Sequence, residues 1–161
     1  MRETAKGEKL NEEKMSHDLG SLEVLRVKLV DPGAQIPTRA HADDAGLDLY
    51  AAEEIWISPG QGKTTRTGVA FEIPVGHVGL VCDRSSMAKR GLKTLGGVID
   101  AGYRGEVHIV LWNLSAESVH LKPGERIAQL LLLPVITLRI VQVAELSATA
   151  RGTKGFGSTG R

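Results

Sequence analysis

The feature that most restricts this chain is its punctuation. Apolar runs of three to eight residues follow one another, and glycine or proline cuts many of them short. The runs are Leu22–Leu29, Leu47–Ala51, Ile55–Ile57, Val69–Ile73, Val78–Cys82, Val107–Leu111, Ser118–Leu121, Ile127–Leu133 and Ile136–Val143. The breaks include Pro32-Gly33, Pro59-Gly60, Pro74-Val75-Gly76 and Lys122-Pro123-Gly124. None of these runs is long enough for a helix of several turns, and Leu22, Val24, Leu25, Val27 and Leu29 alternate at nearly period two. Many short strands joined by Gly/Pro turns predict an all-β sandwich or jelly roll. One short helix is expected near Ser85-Ser86-Met87-Ala88-Lys89. The run Ile127–Leu133 is apolar on both faces, so it predicts a strand covered on both sides, and in a chain this small the second cover points to another subunit.

At 161 residues the chain has room for one domain with a real core. Lys+Arg is 20 against 19 Asp+Glu, which gives no support for a protein that grips nucleic acid by charge. The single cysteine, Cys82, excludes an internal disulfide, and its apolar surroundings predict an inert thiol. No segment reaches membrane-spanning length, and no basic-then-apolar leader opens the chain, so the expected setting is cytoplasmic, with organellar or viral origin left open. Residues 1–20 are polar and charged and are expected to form a disordered extension. A β domain is expected over residues 21–148. A mobile, glycine-rich arm follows over 149–161, whose only large apolar side chain beyond Ala150 is Phe156.

Chemistry-bearing residues collect at five places. Asp48 alternates with leucines in Asp43-Asp44-Ala45-Gly46-Leu47-Asp48-Leu49 and is expected on the face opposite them, either as a solvated acid or near a hydrated cation. Asp83-Arg84-Ser85-Ser86 offers a guanidinium and hydroxyls suited to phosphate oxygens, or a helix cap at Ser85 or Ser86. The stretch Thr94–Glu106 reads as a hairpin whose glycines let a flat group lie on the backbone, with Asp100 placed to take a proton from water. Gln129 is a polar side chain in an apolar run and must find a partner. The tail Arg151–Arg161 carries cations, hydroxyls, glycines and one aromatic, a composition that can wrap an anion and cover a ring.

Taken in order, these stretches resemble the five motifs of the trimeric dUTPase family. They read AGLDLYA (Ala45–Ala51), RSSMA (Arg84–Ala88), GVIDAGYRGE (Gly97–Glu106), PGERIAQL (Pro123–Leu130) and RGTKGFGSTG (Arg151–Gly160). The resemblance spans about residues 22–161. It implies a distorted β-barrel or jelly roll assembled as a homotrimer with shared active sites, and hydrolysis of dUTP to dUMP and pyrophosphate with Mg²⁺. It implies that Asp100 activates a water for attack on the α-phosphorus. Gly97, Val98 and Ile99 would read the uracil edge, and Tyr103 would pack on the deoxyribose. Arg84, Ser85, Ser86 and Gln129 would hold the triphosphate, and Asp48 would meet the metal through water. Arg151, Gly157, Ser158 and Thr159 would close on the outer phosphates, with Phe156 over the uracil.

Four positions depart from the family pattern. Asp83 stands where proline or glycine is common, Ser86 where glycine is common, Thr94 where many members carry asparagine, and Lys154 where glycine is common. Two other functions compete. A dCTP deaminase shares a serine-rich motif like Arg84–Ala88, but it needs a glutamate at the place occupied here by Val110. A non-catalytic regulator of similar body would be expected to lack the acid, the aromatic cap or the arginines, and all are present.

Overall fold

The computed structural model describes residues 24–153. Among them are eleven strands and one short helix. In chain order these are β1 (Arg26–Leu29), β2 (Leu47–Tyr50), β3 (Ile55–Ile57), β4 (Gly62–Arg66), β5 (Val69–Glu72), β6 (His77–Cys82), α1 (Ser85–Lys89), β7 (Leu92–Leu95), β8 (Val98–Asp100), β9 (His108–Asn113), β10 (Val119–Leu121) and β11 (Arg126–Pro134). The strands pair antiparallel in four groups, with orders β1-β5, β10-β3, β2-β11-β6-β8 and β4-β9-β7. The ladders do not close on themselves, so the all-β expectation takes the form of open jelly-roll sheets rather than a barrel. The expected extension (1–20) and all of the arm beyond Thr153 lie outside the described residues.

The core lies between the sheets. Leu49, Ile57, Ile109, Leu111, Leu121, Ile127 and Leu130 are fully buried there. Each contributes about 1.5–3 kcal/mol through area removed from water. In the four-stranded sheet the alternation is clean: Leu47, Leu49, Ala128, Leu130, Gly79 and Val81 face inward. The opposite face carries Asp48, Gln129, Leu131, Leu133, Val78, Leu80, Cys82, Val98 and Asp100. Leu133 and Val98 on that outer face are exposed, and Val78, Leu80 and Leu131 are half-buried. Strand β11 therefore has one apolar face in the core and a second apolar face that this one chain leaves open, as its sequence predicts.

Three expectations change. Thr94–Glu106 is not a single hairpin: β7 pairs with β9 in one sheet, β8 pairs with β6 in another, and the chain crosses between them at Gly96-Gly97. Gly97 has φ 102°, and a Cβ there would stand 2.8 Å from the Val81 carbonyl oxygen, so the crossing requires glycine. Residues Ile136–Val143 form no strand, and no described residue pairs with them; Ile136, Leu138, Ile140, Val141 and Val143 stand exposed. Neither Ser85 nor Ser86 caps α1, whose N-cap is Arg84, with no side-chain hydrogen bond to the helix.

Candidate active site

A β-bulge organises the first cluster. Opposite β2, Arg126 pairs with Tyr50 and Ala128 with Leu49, so Ile127 is the extra residue. Without it Arg126 and Gln129, three apart, would face opposite sides of the sheet. With it both stand on the outer face beside Asp48, and Ile127 goes to the core. Asp48 is 8% exposed, not the solvated acid that its pattern allowed. Its Oδ1 accepts from Arg84 Nε at 2.6 Å and its Oδ2 from Arg126 Nη1 at 3.2 Å. A carboxylate this buried is tolerable because two guanidiniums compensate it. Arg84 Nη1 also donates to Ser86 Oγ (3.1 Å) and to the Arg126 carbonyl (3.2 Å). Asp48 thus sets the direction of two arginines.

Gln129 finds the partner its burial demands: Nε2 donates to the Asp83 carbonyl at 2.7 Å. Gly46 makes room for this side chain, since a Cβ at residue 46 would collide with Gln129 Oε1. Around these groups lies a cavity of about 450 Å³, lined by Ala40, Asp44, Gly46, Asp48, Arg84, Ser85 and Gln129 among others. Its polar lining suits an anion with several oxygens. Ser86 is not in that lining, and its hydroxyl serves Arg84 instead. Arg126 was not singled out from sequence; Asp83 was, as an anion beside the phosphate site expected to point away, and its carboxylate does turn away, to Lys93 and Thr94.

The second cluster sits at the far corner of the same face. Val98, Ile99, Asp100, Tyr103, Glu106, Val107 and His108 line a cavity of about 230 Å³. Asp100 ends β8 and is exposed. A turn follows, in which Tyr103 N donates to the Asp100 carbonyl (3.0 Å). Tyr103 is then held by its own hydroxyl, which donates to the Glu106 carbonyl (2.9 Å). Glu106 is anchored in turn by Gly68 N on Oε1 (2.8 Å) and Arg66 Nε on Oε2 (3.2 Å). The Arg66 guanidinium is held above its ordinary range, mainly by its hydrogen bond to Glu106 and that group's charge. Glu106 and His108 were not marked as site residues from sequence.

The two clusters do not meet within one chain. Gln129 pairs with Cys82, whereas Asp100 pairs with Val78, four residues further along β6. At about 3.4 Å per residue and about 4.8 Å between strands, Gln129 and Asp100 are on the order of 16 Å apart. Between them lie Leu80, Leu131 and Val98. Of the remaining predicted residues, Gly97 and Ile99 adjoin the second cluster through β8, Arg151 is exposed, and Phe156, Gly157, Ser158 and Thr159 lie outside the described residues.

The fold and these two cavities define an all-β, jelly-roll protein with a polar, arginine-bearing cavity and an acid–aromatic cavity. A family model described as dUTPase matches residues 33–160. The deoxyuridine 5'-triphosphate nucleotidohydrolase of Mycobacterium marinum is 50% identical over 145 residues, covering 84% of this chain and 94% of that protein. That of Corynebacterium efficiens is 41% identical over 153 residues, covering 92% and 84%. Among solved structures, a mutant dUTPase of Staphylococcus bacteriophage 80alpha with dUpNHpp superposes with a TM-score of 0.82 at 34% identity, covering 86% of this chain and 99% of that one. A mutant dUTPase from phage phi11 of S. aureus, described with a structural Mg(II) ion, has a TM-score of 0.72 at 30% identity, covering 76% and 98%. The chain belongs to the dUTPase family.

Proposed function

We propose that this chain hydrolyses dUTP to dUMP and pyrophosphate in a homotrimer whose sites are each built from more than one copy. The observation that carries the reading is the division of one sheet face into an anion cavity and an acid–aromatic cavity, in a chain half identical to a nucleotidohydrolase acting on deoxyuridine triphosphate. Asp100 takes a proton from water as the water oxygen bonds to the α-phosphorus. The bond from the α-phosphorus to the bridging oxygen then breaks, and pyrophosphate leaves with that oxygen. Arg84, Ser85 and Gln129 hold the triphosphate, and Asp48 keeps Arg84 and Arg126 aimed at it. Gly97, Val98 and Ile99 meet the uracil edge through the backbone, and Tyr103 lies against the deoxyribose, where a 2′-hydroxyl would collide. Such shape-based discrimination can reject UTP and dTTP.

The donor set fits a magnesium ion brought in by the substrate. Among the described residues no three His, Cys, Asp or Glu side chains gather, so the chain offers no cage of its own. Each oxygen of Asp48 has one guanidinium partner in the cluster, and a carboxylate can accept further bonds, so an ion-bound water has somewhere to donate. When bound, Mg²⁺ supplies neutralisation of the developing charge on the leaving pyrophosphate.

Distance supports sites shared between copies. Reacting groups must approach to about 3–3.5 Å, and one chain holds its two clusters about five times further apart by the strand spacing. The open apolar face between them, and the exposed apolar run at residues 136–143, are surfaces that further copies would cover. Residues 149–161 are assigned to closure: Arg151, Gly157, Ser158 and Thr159 on the outer phosphates and Phe156 over the base.

A panel of dUTP, UTP, dTTP and dCTP, assayed for pyrophosphate and ammonia, tests the activity. Pyrophosphate from dUTP alone is expected. Ammonia from dCTP would instead support the deaminase reading, which the valine at position 110 disfavours. A chain truncated after Ala150 is expected to keep the fold and lose most turnover; full turnover would remove the tail from the reaction.

A further inference from the structure

We infer that Asp83 is a positioning residue for the triphosphate side of the site, acting through a clasp that joins two sheets. Asp83 follows the last residue of β6 and directly precedes Arg84-Ser85. Its Oδ1 accepts from the Thr94 backbone N–H (2.7 Å) and the Thr94 hydroxyl (2.6 Å), and its Oδ2 accepts from Lys93 Nζ (2.6 Å). Thr94 and Lys93 belong to β7, in the three-stranded sheet, whereas β6 belongs to the four-stranded one. One carboxylate therefore ties the end of β6 across the sandwich to its neighbour. The same residue's carbonyl holds Gln129 Nε2 at 2.7 Å. Fixing the side chain of Asp83 fixes the direction of that carbonyl, and with it the amide of Gln129 and the exit of the chain toward Arg84.

The clasp is satisfied throughout. Thr94 is buried (8% exposed), and its hydroxyl is spent on Asp83, so it is not offered to the base. Burial opposes ionisation of Asp83, but the hydrogen bonds from Lys93 and Thr94 and the Lys93 charge outweigh it and hold the carboxyl below its ordinary range. Proline or glycine at this position, the residues common in the resembled family, can make no such bond. In this chain the restraint at position 83 comes from the side chain.

The inference depends on the dUTP reading, so its test separates the two. Full-length parent, Asp83→Ala, Thr94→Val and Thr94→Ser proteins are compared for kcat and KM with dUTP. Dissociation constants are measured for the non-hydrolysed analogue α,β-imido-dUTP and for dUMP. For Asp83→Ala and Thr94→Val, a KM and an imido-dUTP dissociation constant raised about tenfold are expected, with kcat within about twofold, because misdirected contacts weaken binding before chemistry. The dUMP constant should not move, since the Val98–Tyr103 cavity is untouched, and Thr94→Ser should restore parent values. Unchanged constants, equal weakening of both nucleotides, or a fall in Tm alone would overturn the clasp. If the parent binds imido-dUTP yet releases no pyrophosphate from dUTP, the activity fails and the clasp is judged on binding. A parent that binds neither nucleotide sinks both readings.

Discussion

At the scale of single residues, the proposed site holds two acids in opposite settings. Asp48 is buried and its oxygens are occupied by arginines, whereas Asp100 is exposed at a strand end. Asp48→Asn is expected to cost about 1–3 kcal/mol, less than a fully buried pair because Arg126 remains half exposed. It should also raise KM for dUTP through two loosened guanidiniums; denaturant melts and steady-state kinetics check both. Asp100→Asn should leave nucleotide binding intact and lower kcat by about 10²–10⁴, the usual contribution of a general base. Equal turnover in the variant would remove Asp100 from that role. Gln129 was legible as a residue in need of a partner, because an amide in an apolar run has no neutral alternative. Arg126 was not, since its face depends on a bulge at Ile127 that no local residue announces. Asp83 read as an anion awkwardly close to the phosphate site; its carboxylate is turned away, to β7.

At the scale of elements, buried polar joints decide stability. Asn113 ends β9 fully buried. Its Nδ2 donates to the Ile57 and Glu117 carbonyls, and its Oδ1 accepts from the Ser115 N–H and hydroxyl. Asn113→Ala should destabilise the fold by about 2–4 kcal/mol, because it strands a buried carbonyl and opens a cavity; a urea titration measures it. The clasp at Asp83 adds a pH signature. Its folded pKa lies below the unfolded value, so its stabilisation is complete above about pH 4 and is lost as pH falls through the folded pKa. The stability difference between parent and Asp83→Asn should therefore be constant near neutrality and shrink in acid. Strand positions were largely readable from alternation and turns, as at Ile55–Ile57. The pairings were not: nothing local says that β7 and β8, two residues apart, join different sheets. Residues 136–143 have the composition of a strand but find no pairing strand among the described residues, so propensity there outran structure.

At the scale of the whole molecule, the order of the five motifs made the family legible, and the resemblance implied shared sites; the distance between the two clusters was not legible, since spacing along a chain carries no distance across a sheet. If each site takes Asp100 from one copy and Arg84 from another, two inactive variants should complement. Asp100→Asn and Arg84→Ala chains, refolded together in equal amounts, should recover roughly a quarter of parent activity by random assortment. Recovery of nothing would place both residues in one copy's site. Leu131→Lys, on the open apolar face, should yield smaller assemblies by sedimentation and little turnover. The same face carries a genetic consequence. If sites are shared in this way, a chain with a ruined anion cavity idles a healthy neighbour's acid but lends its own acid to a healthy cavity, so a mixed assembly keeps one working site for each healthy chain. Missense alleles at Arg84 or Gln129 should therefore be recessive, as a null allele is, while an Arg84 allele and an Asp100 allele expressed together should complement each other in part.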